Sequence, residues 1–176
     1  MKTGAKGIEK IKFLEGFLSN WKIDVDKYAI GYGHNEQPGD RNRIKAPITK
    51  EQADQILKKD LEIFEAIINK AIKVNLTQDQ FDALILWVYN TGRTQSNLFD
   101  LINKKADLKT ISDWWKTHYI TTKEKDPVRA EKLKQVLIKR RAEEAEMFVK
   151  GASNSKIFFL PLIALAVYFL IKKNKN

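Results

Sequence analysis

The chain has no cysteine and two histidines among 176 residues. That excludes a disulfide framework, a cysteine nucleophile and any cysteine-based metal site, and two histidines make a zinc site only with carboxylate help. Eight glycines and four prolines are too few for a low-complexity or disordered chain, and 43% hydrophobic residues are enough for one globular domain with a sizeable core. Acidic residues are in deficit, 22 against 32 lysines and arginines, giving a formal charge of +10. Four lysines and no acids fall in residues 156–176, so +4 lies there and +6 in the rest. Such a field favours polyanionic partners. No zinc-finger spacing or aromatic-rich basic strand accompanies it, which argues against nucleic acid. No internal repeat is present.

One long hydrophobic run stands out. Residues 157–171 are 15 uncharged positions, from Ile157 through Tyr168 to Ile171, bounded by Lys156 and by Lys172, Lys173 and Lys175. As a helix this run is about 22 Å long, short against a hydrocarbon core of about 30 Å, but it can be lengthened from its N-terminal side and its lysines can snorkel. Lysines at both ends and Tyr168 near one of them predict a transmembrane anchor over residues 157–171, with a basic tail at 172–176. A buried core helix is the other reading of a run of this length. Residues 151–156, Gly151-Ala152-Ser153-Asn154-Ser155-Lys156, read as a flexible linker, which leaves residues 1–150 as the globular domain. Met1–Glu9 carries two lysines but no apolar stretch of a secretory signal, so a cytosolic-side location is the default. The lysines at 172, 173 and 175 lean toward the opposite orientation for the anchor.

The globular part reads as α+β and mostly helical. Ile8, Ile11, Phe13, Leu14 and Phe17 fit an amphipathic first helix. Trp21 to His34, punctuated by Gly31 and Gly33, predicts a short hairpin or three-stranded lobe, and Asn35–Lys45 a polar loop with a Pro-Gly turn. Thr49 with Gln52, and Thr77 with Gln80, are capping boxes that open two helices, a long one through Ile72 and a hydrophobic one closed by Gly92. Further helices are expected at Ser96–Asn103, Leu108–Tyr119 and Pro127–Phe148, the last with proline in its first turn.

Chemistry is suggested by two carboxylates. Glu15 ends the first helix in the run Phe13-Leu14-Glu15-Gly16, and Asp24 follows nine residues later, ahead of Ile30-Gly31-Tyr32-Gly33-His34. A carboxylic acid at a helix end among apolar neighbours, with a second carboxylate on a facing strand, is an arrangement that cleaves glycosidic bonds. The alternative for Glu15 is an ordinary surface carboxylate.

Taken in order, these motifs resemble the bacteriophage-type lysozymes of glycoside hydrolase family 24. The resemblance spans roughly Gly7 to Phe148. It rests on Glu15-Gly16, Asp24, the Gly31-Tyr32-Gly33-His34 loop, Ile48-Thr49, Leu57-Lys58-Lys59-Asp60-Leu61, Leu76 to Leu84, Tyr89-Asn90-Thr91-Gly92 and Arg140-Arg141-Ala142-Glu143-Glu144. It implies a lysozyme-like fold, with a small β lobe joined by a long helix to a helical lobe. It also implies cleavage of the β-1,4 bond between N-acetylmuramic acid and N-acetylglucosamine in peptidoglycan, without metal or cofactor. Glu15 then takes the place of the general acid, aided by desolvation from neighbours such as Phe13 or Phe17. Asp24 stabilises charge on the sugar and positions water, with Asp26 as the alternative because one residue is missing before Ile30. Tyr32 and Asn90 line the cleft as substrate-binding residues, and His34 pairs with Asp60 to tie lobe to helix. Arg140 or Arg141 either approaches Glu15 or belongs to a solvated basic face. Trp87, Trp114 and Trp115 read as core.

The sequence departs from the family at Ala29, where a water-holding threonine is usual. Either Ser19, Tyr28 or Asp26 positions the water, or the sugar's own 6-hydroxyl attacks, as in a lytic transglycosylase. A membrane-anchored peptidoglycan-binding protein without turnover is the alternative of another class. The anchor places the chain at a virion membrane, for wall entry, or at the host inner membrane, for lysis.

Overall fold

The computed structural model describes residues 1–24 and 27–157, without the side chains of Asp24 and residues 154–157. Helix α1 covers Ala5–Glu15 and leads through Gly16 into a three-stranded antiparallel sheet, β1 (Leu18–Asp24), β2 (Lys27–Gly31) and β3 (His34–Asn35), in the order β1-β2-β3. Ala29 on β2 pairs with Lys22 on one side and Asn35 on the other, and the β1–β2 register shifts between Leu18 and Lys22. The polar loop expected at Asn35–Lys45 contains one short helix, α2 (Asp40–Arg43).

Both capping boxes are formed. Thr49 Oγ1 accepts from Gln52 N and Gln52 Oε1 accepts from Thr49 N, opening α3 (Lys50–Ala71). This helix of 22 residues joins the two lobes and is about 33 Å long. Its buried positions Ala53, Leu57, Leu61, Glu65 and Ile68 recur every three or four residues, the spacing that turns one stripe to the core.

Thr77 and Gln80 make the same pair at the start of α4 (Gln78–Thr91). Every residue from Phe81 to Val88 is buried, so α4 is covered on all sides and forms the centre of the helical lobe. Gly92 closes it in the left-handed conformation, at φ 64° and ψ 14°, as expected. Around it pack α5 (Asn97–Asn103), α6 (Leu108–Thr117) and α7 (Pro127–Ile157). Trp87 and Trp115 are fully buried core residues, and Trp114 is partly buried against that core. Helix α6 stops two residues short of Tyr119, because His118 is extended and Tyr119 takes φ 58° with its ring edge-on to Trp87 at 5.3 Å.

A larger difference lies at the end of the described chain. Helix α7 does not stop near Phe148 but continues to Ile157, so the backbone of residues 151–156 is helical. Gly151 explains how this is accommodated. A Cβ there would stand 2.8 Å from Thr77 Oγ1 and 2.9 Å from Asp79 Cβ, so the missing side chain lets α7 lie against the start of α4. Residues 158–176, and with them nearly all of the apolar run at 157–171, lie outside the described residues. Among the described residues, no helix is long and apolar enough to cross a membrane.

Candidate active site

Helix α1 is positioned from its N-terminal end. Its cap residue Gly4 has no side chain, and Asp82 of α4 serves instead, accepting from Gly4 N at 2.9 Å. Burial pushes the Asp82 carboxyl up, against hydrogen bonds from Gly4, Gln78 and Gly7. A Cβ on Gly7 would meet Asp82 Cγ at 2.8 Å, so α1 lies close on α4. Thr3 adds two bonds of 2.8 Å to Glu65 Oε1 on α3.

At the other end of this fixed helix sits Glu15, its side chain 20% exposed. Gly16 turns the chain at φ 68° into β1, and the β2–β3 turn comes back against the carboxylate. A Cβ on Gly33, at φ 84°, would stand 3.1 Å from Glu15 Oε2. Of the two apolar neighbours expected to shield Glu15, Phe13 points away and is 80% exposed, because it lies on the face of α1 opposite Ile11. Phe17 is partly buried, 5.7 Å from the ring of Tyr32.

The arginines do not form a solvated face. Arg140 is 8% exposed and Arg141 fully buried. Arg140 Nη2 donates to Glu15 Oε1 at 2.8 Å and its Nε to Glu144 Oε1 at 3.2 Å. Arg141 Nη2 donates to Glu144 Oε1 at 2.9 Å and to Asn90 Oδ1 at 2.8 Å. Trp115 Nε1 completes the set, donating to Glu144 Oε2 at 3.1 Å. Burial pushes the Glu144 carboxyl above its usual range, outweighing the downward pull of Arg141, Arg140 and Trp115.

The remaining expected residues fall around this centre in different ways. Tyr32 is 8% exposed, its carbonyl accepting from Tyr89 Oη at 2.6 Å. Burial, with the negative charges of Asp60 and Glu15, pushes the Tyr89 hydroxyl well up, so it stays a donor. Asn90 is exposed and tied to Arg141. Asp24 is the last residue of β1, paired with Lys27 across the hairpin, and its carboxylate lies outside the description, as does Asp26. Ala29 is buried at 6% exposure. Of the groups expected to replace its hydroxyl, Ser19 Oγ accepts from Asn20, and the Tyr28 ring lies 4.5 Å from the Arg41 guanidinium.

His34 holds the β lobe to α3 as expected, with Nδ1 2.9 Å from Asp60 Oδ2. Its Nε2 also lies 3.0 Å from Asp40 Oδ2, a second partner the sequence did not disclose. The bond to Asp60 chiefly, with help from Asp40, raises the histidine pKa against the cost of burial. Burial pushes Asp40 up, but the Gln37 N–H, His34 and Arg43 outweigh it and hold the carboxyl below its usual range. Beside this pair, Gly33, Asn35, Gln37, Ile63, Phe64 and Tyr89 line a depression of about 290 Å³ between sheet and helical lobe. A larger depression, about 530 Å³ beside Trp114 and His118, is not lined by Glu15.

The family model for phage lysozyme matches residues 12–144. The chain belongs to the phage lysozyme family. Among curated phage lysozyme relatives, it is 32% identical over 174 residues to the endolysin of Bacillus phage PZA, covering 89% of this chain and 62% of that one. It is 28% identical to the endolysin of Salmonella phage P22, covering 85% and 99%. The chain thus spans less than two thirds of the PZA protein and nearly all of the P22 one. Among solved structures, the endolysin of Escherichia coli O157:H7 phage FAHEc1 superposes with a TM-score of 0.66 at 32% identity, covering 84% of this chain and 93% of that one. The muramidase domain of SpmX from Asticaccaulis excentricus gives 0.65 at 26% identity, covering 84% and 97%.

Three residues escaped the sequence reading as site components: Glu144, Tyr89 and Asp40. Only Glu144 left a signal. It follows Arg140 and Arg141 at helical spacings of four and three, which put all three side chains on neighbouring positions of one helix.

Proposed function

We propose that this phage lysozyme family member is a muramidase that cleaves the β-1,4 bond between N-acetylmuramic acid and N-acetylglucosamine in peptidoglycan. The observation that carries the reading is Glu15, held at the end of α1 between Gly33 and Arg140 at the junction of the two lobes. Glu15 acts as the general acid, delivering its proton to the leaving glycosidic oxygen as the bond breaks. Asp24 stabilises the positive charge on the sugar. Tyr32 and Asn90 serve as substrate-binding residues, Asn90 through its exposed amide and Tyr32 through the turn that Tyr89 fixes.

Water attack on the anomeric carbon yields a hydrolase. Ala29 favours a second outcome, because its buried methyl offers no hydroxyl to hold that water. The muramic acid 6-hydroxyl then closes on the anomeric carbon and leaves a 1,6-anhydro end. Digestion of purified peptidoglycan by the full chain, followed by mass analysis of the muropeptides, separates them. Reducing muramic acid ends support the hydrolase, and anhydro ends in most fragments reject it.

Residues 157–171 act as a membrane anchor in this reading, supported by 15 uncharged residues flanked by lysines. Anchoring places the enzyme on a virion membrane for wall penetration or on the host inner membrane for lysis. Carbonate extraction of membranes tests the anchor: release of the full chain into the supernatant rejects it.

A further inference from the structure

We infer that Glu144 is a positioning residue for Glu15, acting through Arg140: it fixes the guanidinium in place and offsets the charge that Arg140 presents to the acid. The inference rests on the reading of Glu15 as general acid. Its geometric basis is a chain of four charged groups, Glu15, Arg140, Glu144 and Arg141, in which Arg140 bridges two carboxylates by two different nitrogens. Glu144 is 2% exposed, and Arg140, Arg141 and Trp115 are its three hydrogen-bond partners. All three are donors. A protonated carboxyl would have no acceptor for its O–H there, so the carboxylate is the form this cage accommodates despite its burial.

The charge balance explains why such a group matters to an acid catalyst. Arg140, 2.8 Å from Glu15, places a full positive charge against the proposed acid. A second carboxylate on the same guanidinium offsets part of this field without releasing the arginine. Nearby charges are already engaged. Lys10 of α1 is paired with Glu143 at 2.6 Å, and Asp60 of α3 with His34. Glu146 is paired with Lys150 on α7. Lys6 of α1 and Asp79 of α4 line the depression beside Glu144, one of each sign. Tyr89 of α4 faces Glu15 as a neutral hydroxyl. Glu144 is therefore the group whose charge bears on Arg140 from within the cluster.

The test is the pH profile of peptidoglycan lysis by the full chain, with thermal stability measured alongside. Glu144→Gln is expected to move the alkaline limb to lower pH by roughly half to one pH unit, since Arg140 then acts on Glu15 undiminished. Glu144→Asp, which keeps the charge, is expected to return most of that shift. Should Glu144→Gln alone not fold, the paired variant Glu144→Gln/Arg141→Gln removes one charge of each sign and is expected to show a smaller shift in the same downward direction, because Glu144 is the one of the two bonded to Arg140. An unmoved alkaline limb in a folded variant, with only its melting temperature lowered, overturns the inference and leaves Glu144 a purely structural residue. A wild-type chain inactive at every pH would instead remove the muramidase reading itself.

Discussion

Arg140 on α7 reaches Glu15 on α1 across 125 residues of sequence, Nη2 to Oε1 at 2.8 Å. The contact joins α1 to α7 at the point where the sheet lobe also arrives. Removing the guanidinium leaves Glu144 buried with one arginine fewer. Arg140→Met should therefore cost about 3–5 kcal/mol of stability, read from urea unfolding, because breaking one side of a buried ion pair strands the other charge. Arg140→Lys should lower the rate of peptidoglycan clearing, since one ammonium cannot reproduce the two separate N–H donors that reach Glu15 and Glu144.

Gly33 imposes a different constraint on the same carboxylate. Its φ of 84° is in the left-handed region, and a Cβ would press on Glu15 Oε2 at 3.1 Å. Gly33→Ala is expected to lower stability by about 1–2 kcal/mol from the backbone alone. Lysis should fall more than stability, because the displaced group is the proposed acid. Wild-type specific activity in the folded variant would show that Glu15 needs no such confinement.

The His34 pair predicts a pH dependence of stability. Asp60 first and Asp40 second raise the folded-state pKa of His34 above its ordinary value of 6.5. The charged histidine therefore stabilises the fold fully below about pH 6.5, and that contribution is lost as pH rises through the raised folded value. Asp60→Asn should cost about 1.5–3 kcal/mol at pH 5.5, as expected for a hydrogen bond to a charged group. The difference from wild type should shrink as pH rises past 8. Equal differences at both pH values in denaturant titrations would mean that the pair is not ionic.

Gly151 tests the extension of α7. In an exposed helix, Gly→Ala gains up to about 1 kcal/mol. Here the added Cβ meets Thr77 Oγ1 at 2.8 Å and Gln80 N at 3.1 Å, so Gly151→Ala should destabilise by about 1–3 kcal/mol as an overpacking change. A stabilised variant would return residues 151–156 to the status of a linker.

What was legible in the sequence follows the range of the forces involved. The capping boxes at Thr49 and Thr77 and the left-handed Gly92 are set by residues within one turn, and each is formed as the sequence predicts. His34 with Asp60 was legible because the family resemblance supplied the pairing, whereas its second partner Asp40 depends on how the 35–45 loop folds. Arg140 and Arg141 look alike in sequence, and their division between Glu15 and Asn90 is decided by the packing of α7 on α4 and α6. The helical state of Gly151 was hidden for a similar reason. Gly-Ala-Ser-Asn-Ser has a linker's composition, and only the close approach to α4 turns the glycine into a packing residue.

The most direct test of the muramidase reading compares the full-length chain with Glu15→Gln on purified peptidoglycan, following turbidity and the release of new glycan ends. The account predicts that the wild type clears the suspension and that the variant, with an unchanged melting profile to within a few degrees, is at least about 100-fold slower. Equal clearing by both proteins, or none by either, would contradict it.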